Sequence, residues 1–140
     1  MSKIFFYGLF MDRSLLIEKG FRPETVGPAV LSDYRIHIGE RATLLPSTSS
    51  RAYGVVMELS EPEAHALYSE PSVRAYERER VRVQLLESDR VVEASCYNLP
   101  RALGLAGSNP AYATQLSELV EALGFDTEYV REIAAFGEQA

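Results

Sequence analysis

Apolar residues recur along the chain with two periods, and the switches between them divide it into strands and helices. Ile4 to Tyr7 is an unbroken apolar run of β-favouring residues and predicts a strand buried on both faces. Asp12 is placed to cap a short helix to about Lys19, with Leu15 and Leu16 on its buried side and Gly20 as its stop. Tyr34, Ile36 and Ile38 alternate with polar residues at the end of a strand over 27–38. Pro46-Ser47-Thr48-Ser49-Ser50 reads as a polar turn-rich loop, and Tyr53 to Leu59 as a further apolar strand. Ser60 and Glu63 have the spacing of a capping box, so a helix starts there and runs to about Tyr68.

Farther on, Val81, Val83 and Leu85 share one face of a strand whose other face carries Arg80, Arg82 and Gln84. A turn at Ser88-Asp89 and a return strand from Val91 to Asn98 complete a hairpin. Gly104 and Gly107 mark a loop. Pro110 opens a helix to Leu123, with Leu116, Leu119, Val120 and Leu123 on one stripe. Gly124 stops it, and Asp126 caps a last helix carrying Tyr129, Val130, Ile133 and Phe136. Strands mixed with short helices, then helices alone, predict one α+β domain over residues 1–140. Its sheet is expected to be mostly antiparallel and to close like a barrel between flanking helices.

Composition narrows the function. A chain of 140 residues buries roughly two thirds of the surface that its unfolded form exposes. The net charge of −6 argues against general binding to nucleic acid, which needs a surplus of cations to neutralise phosphates. The basic stretch from Arg74 to Arg82 is interleaved with Glu77 and Glu79, which cancels most of its field. Cys96 stands alone inside an expected strand, so it reads as a small hydrophobe and not as part of a disulfide or metal site. The apolar run at the N-terminus is too short to span a membrane and carries no small-residue cleavage site, which predicts a soluble cytoplasmic protein.

No nucleophile elbow, phosphate-binding loop, dinucleotide fingerprint or zinc-protease motif occurs. His37 and His65 have no ligand-type neighbour at metal spacing, so no metal is expected. Two segments remain. Tyr7-Gly8 ends a strand and frees the following amides from the sheet ladder; successive amides in such a turn form a concavity suited to a carboxylate. Equally, Tyr-Gly reads as a simple strand-to-helix turn. Glu70 follows the capped helix and precedes Pro71, which restricts its backbone to extended or turn geometry. Arg78 is its nearest plausible counter-charge, and Phe5, Tyr7 or Tyr53 would line a cleft around it.

Together these segments resemble the gamma-glutamylcyclotransferase-like family. Phe5-Phe6-Tyr7-Gly8 with Met11-Asp12 and Leu15-Leu16 is similar to the family's first strand, loop and helix. Pro46 and Ala52-Tyr53-Gly54-Val55-Val56 resemble the proline and glycine-bearing strand that follow. Glu70, with Tyr76 and Arg78 six and eight residues later, matches the family's glutamate, tyrosine and arginine. Leu9 and Phe10 differ from the small hydroxyl residue and the leucine or asparagine of relatives. Leu67 stands in place of an aspartate, and Pro71 in place of a glycine.

The resemblance implies an enzyme that cyclises the γ-glutamyl group of a small amine or amino-acid derivative to 5-oxoproline, without a cofactor. Glu70 would be the general acid/base. Tyr7, Gly8, Leu9 and Phe10 would bind the glutamyl head, with Tyr76, Arg78 and Tyr53 as pocket support. A catalytically inactive small-molecule binder of the same fold is the alternative, and an interaction domain using the C-terminal helices a third reading.

Overall fold

Five strands close on themselves in the order β1-β3-β2-β4-β5. The computed structural model describes residues 1–138. The strands are β1 (Ser2–Phe6), β2 (Glu24–Ile38), β3 (Ala42–Leu59), β4 (Glu77–Leu85) and β5 (Val91–Asn98). All pairings are antiparallel except the seam, where β1 meets β5 in parallel at Ile4 and Ser95. Closure removes the free edges that an open sheet of this size would expose. β1 is buried along Ile4, Phe5 and Phe6, as its continuous apolar run requires.

The helices are α1 (Arg13–Glu18), α2 (Glu61–Leu67), α3 (Arg101–Gly104), α4 (Pro110–Ala122) and α5 (Thr127–Gly137). Their starts follow the expected caps. The Asp12 side chain accepts from the Ser14 amide, and both halves of the Ser60/Glu63 capping box form. Asn109 and Asp126 cap α4 and α5. Gly20 and Gly124 take φ of 89° and 81° just beyond their helices, a conformation that costs glycine little.

Three expectations need correction. Pro46–Ser50 is not a loop; it lies within the 18-residue β3, with Pro46 paired to Tyr34 and Leu45 to Arg35. The ladder of β2 supplies the partners, and the polar side chains sit on the outside of a long hairpin. The turn signal reflects a bulge, where the register shifts between Ser32 and Tyr34 and Asp33 and Ser49 both adopt positive φ. Residues 101–104 form a short helix before the loop that Gly107 marks. On α4, the buried stripe is Ala113, Leu116, Ser117 and Val120, while Leu123 is 42% exposed because the helix ends at Ala122.

One apolar cluster joins the barrel interior to the helices, with Leu16, Leu67, Leu116 and Ile133 fully buried against the strands. Cys96 belongs to it, and burial pushes its thiol well up, so it is an inert core residue. Among the described residues, no helix is long and apolar enough to cross a membrane.

Candidate functional site

A recess of about 350 Å³ opens where the C-terminal end of β1 runs into the loop before α1. Phe5, Phe6, Tyr7, Gly8, Leu9 and Phe10 form one side of it. After Gly8 the chain makes a short 3-10 turn, whose internal bonds start with the Met11 amide donating to the Gly8 carbonyl at 3.0 Å. The amides of Leu9 and Phe10 precede that ladder, so neither is bonded within the turn, and the Leu9 amide faces the Tyr112 hydroxyl. Gly8 itself has φ −102°, which any residue can adopt. Space is what requires a glycine here: a Cβ would lie 2.7 Å from the Tyr112 hydroxyl.

Five tyrosines line the recess: Tyr7, Tyr68, Tyr76, Tyr97 and Tyr112. Tyr68 and Tyr97 stack with ring centroids 3.6 Å apart and planes 8° from parallel. The Tyr7 hydroxyl donates to the Tyr97 carbonyl at 2.7 Å and to Asn98 Oδ1 at 2.9 Å. It therefore ties β1 to β5 and offers the recess its ring. Tyr76 donates to the Ala42 carbonyl and so fastens the 70–76 segment to the start of β3. Burial raises the phenol pKa values of Tyr7, Tyr68 and Tyr76, and pushes Tyr112 up to about 12 against the pull of the Leu9 amide. All of them stay neutral near pH 7.

Glu70 is not a lining residue but immediately precedes a segment that is. Its carbonyl accepts from the Val73 and Arg74 amides, building the turn whose Ser72 and Val73 line the wall. Its carboxylate, one-third exposed, pairs with Lys19 Nζ at 2.8 Å and is not among the lining groups. Lys19, at the end of α1, thus takes the counter-charge place that the sequence suggests for Arg78. Arg78 instead holds Glu61 through two bonds of 2.9 and 3.0 Å, donates to Ser95, and lies 5.8 Å from the Tyr97 ring centroid. Arg78 is therefore not a lining residue of the recess, though it touches Tyr97, which is. Tyr53 is not at the recess: its ring packs against Phe125 and Tyr129 at 5.6 and 5.1 Å, beneath α5. Leu67 is fully buried in the core, which explains a hydrophobe at that position, and Pro71 is exposed.

The sequence did not reveal Glu40, Arg41, Tyr68, Tyr97 and Tyr112 as lining residues. Glu40 and Arg41 lie in the turn between β2 and β3, and only the pairing of those long strands brings that turn to the recess. Tyr112 arrives on α4, more than 100 positions after the loop it touches.

The family described as "Gamma-glutamyl cyclotransferase, AIG2-like" matches residues 4–115, four fifths of the chain. The chain belongs to this family. A solved "Gamma-glutamyl cyclotransferase" superimposes with a TM-score of 0.77 at 17% identity, covering 96% of this chain and 86% of that one. YkqA from Bacillus subtilis gives 0.78 at 20% identity over 99% of this chain, but 54% of its own length. An AIG2-like protein from Mus musculus gives 0.61 at 19% identity, covering 79% and 90%. No curated protein sequence matches the chain. At these identities the superpositions establish the fold. Within the gamma-glutamyl cyclotransferase, AIG2-like family, this member has Leu9-Phe10 after its Tyr7-Gly8 and an apolar, tyrosine-rich recess.

Proposed function

We propose that the protein is a cofactor-independent γ-glutamyl cyclotransferase acting on a small γ-glutamyl amine or amino-acid derivative. The observation that carries this reading is the recess itself, walled by the Tyr7–Phe10 loop and by the turn that Glu70 anchors, in a chain of this family. The amides of Leu9 and Phe10 hold the carboxylate of the glutamyl head, with Tyr7 and Gly8 shaping its seat. Folding the glutamyl chain back on itself brings the α-amine to the γ-carbonyl. That proximity is worth up to roughly 7–11 kcal/mol in well-oriented cases.

Glu70 takes a proton from the α-ammonium. The freed nitrogen attacks the γ-carbonyl carbon, Glu70 returns the proton to the leaving nitrogen, and the carbon–nitrogen bond breaks. As the ring closes its nitrogen sheds a second proton, which the released amine takes up, so the products are 5-oxoproline and the amine in its ammonium form, and atoms and charge balance without an added reactant. The Lys19 pair is no obstacle. An ion pair this exposed is worth about 0–1 kcal/mol, and the substrate ammonium can take the place of the lysine ammonium beside Glu70.

A panel of γ-glutamyl amines and amino acids, assayed for 5-oxoproline, tests the reading; release from at least one member is expected. A second reading, a binding protein without turnover, draws on the Glu70 carboxylate lying on Lys19 and outside the recess lining. Saturable binding of panel members with no 5-oxoproline from any would decide for it.

A further inference from the structure

The recess contains a guanidinium for which the steps above have no use. We propose that Arg41 is a specificity-determining residue that reads a carboxylate on the leaving group, so that the preferred substrates are γ-glutamyl derivatives of apolar amino acids and not of the corresponding amines. This rests on the cyclotransferase reading.

Arg41 is held in place by its turn. The Gly39 amide donates to the Arg41 carbonyl at 3.2 Å, the Glu40 amide to the Ala106 carbonyl at 2.9 Å, and Asn109 Nδ2 to the Glu40 carbonyl at 3.2 Å. A Cβ on Gly39 would lie 2.3 Å from the Ala106 carbonyl oxygen, so the turn is pressed against the segment before α4. The guanidinium then lies 6.0 Å from the Tyr76 ring centroid, and its Nη1 donates to the Ser72 carbonyl at 3.4 Å. Among the described residues, no carboxylate pairs with it within 4.0 Å. A guanidinium set over an aromatic face, with one long bond to the protein, keeps a planar fork of donors for a carboxylate.

Position decides which carboxylate. The contacts of Arg41 are with Ser72 and Tyr76, the segment that follows Glu70, whereas the glutamyl head is assigned to the loop after Tyr7. Those contacts fall on the segment after Glu70, the group assigned to protonate the leaving nitrogen, which assigns Arg41 to the leaving-group side of the substrate. The walls of the recess are apolar through Phe5, Phe6, Leu9, Phe10, Leu15 and Val73, which suits an aliphatic or aromatic side chain. Glu40 borders the same recess, with its side chain running along Gly107.

The test compares γ-glutamylphenylalanine with γ-glutamylphenethylamine, which keeps the ring and lacks the carboxylate, by 5-oxoproline release. The wild type is expected to favour the first by about 10- to 100-fold in kcat/KM, the range for charge-assisted hydrogen bonds. Arg41→Gln should raise KM for γ-glutamylphenylalanine and reduce that preference to near unity, leaving the phenethylamine derivative almost unchanged. Arg41→Lys should restore part of it. Equal rates in the wild type, or an equal loss on both substrates in Arg41→Gln, would overturn the proposal. If neither compound yields 5-oxoproline, the cyclotransferase reading fails for these substrates, and calorimetric binding of the same pair judges Arg41 separately. Tighter binding of γ-glutamylphenylalanine that Arg41→Gln abolishes upholds it; equal or absent binding rejects it.

Discussion

Glu70→Gln is expected to lower turnover by at least about 10²-fold, with little change in substrate affinity or stability, because a general acid/base contributes about 10²–10⁴ in rate. The side chain is one-third exposed, and among the described residues its charged partner is Lys19, so the amide loses only a weak surface pair. The fold does not depend on that carboxylate. What anchors the turn is the Glu70 carbonyl, which glutamine retains. The companion variant Glu40→Gln removes the carboxylate of a residue that does line the recess. It is expected to keep activity within about 10-fold, as a group that transfers no proton. Steady-state kinetics on both variants decide the assignment. Full activity in Glu70→Gln, with loss in Glu40→Gln, would move the proton-handling role across the recess.

The second large effect is on stability. Gly54 lies in β3 next to the Val55–Phe6 pair, and a Cβ there would meet the Phe6 carbonyl oxygen at 2.3 Å and the Phe5 ring at 2.8 Å. The oxygen belongs to backbone, so Gly54→Ala forces β1 away from β3. Such overpacking costs typically about 1–3 kcal/mol, and sometimes more. The entropy that alanine removes from the unfolded chain offsets only about 0.4–1 kcal/mol. A lower denaturation midpoint is expected, together with weaker ligand binding, since Phe6 leads directly into the Gly8 loop. A variant as stable as the wild type would mean that β1 can shift freely.

Local chemistry made much of the fold legible. The Ser60/Glu63 box, the Asp12 and Asp126 caps, the glycines after helices and the alternation of β4 are short-range signals, and each appears in place. Pro46–Ser50 misled because the partner strand, not local preference, fixes that backbone. For the site, the Tyr7–Phe10 loop could be read from one contiguous segment. Arg41, Tyr97 and Tyr112 could not, because they reach the recess only through barrel closure and the docking of α4. The Arg78 partner was misjudged for a related reason: Lys19 lies beside Glu70 and Glu61 beside Arg78 in space, with nothing in their spacing to say so.

The clustering of tyrosines gives the protein an optical property. With no tryptophan in the chain, ultraviolet emission comes from eight tyrosines, and five of them wall one recess. A ligand entering that space changes the surroundings of a majority of the fluorophores. Occupancy should therefore be visible as a change in intrinsic fluorescence, without a label, and Tyr68→Phe should diminish the signal.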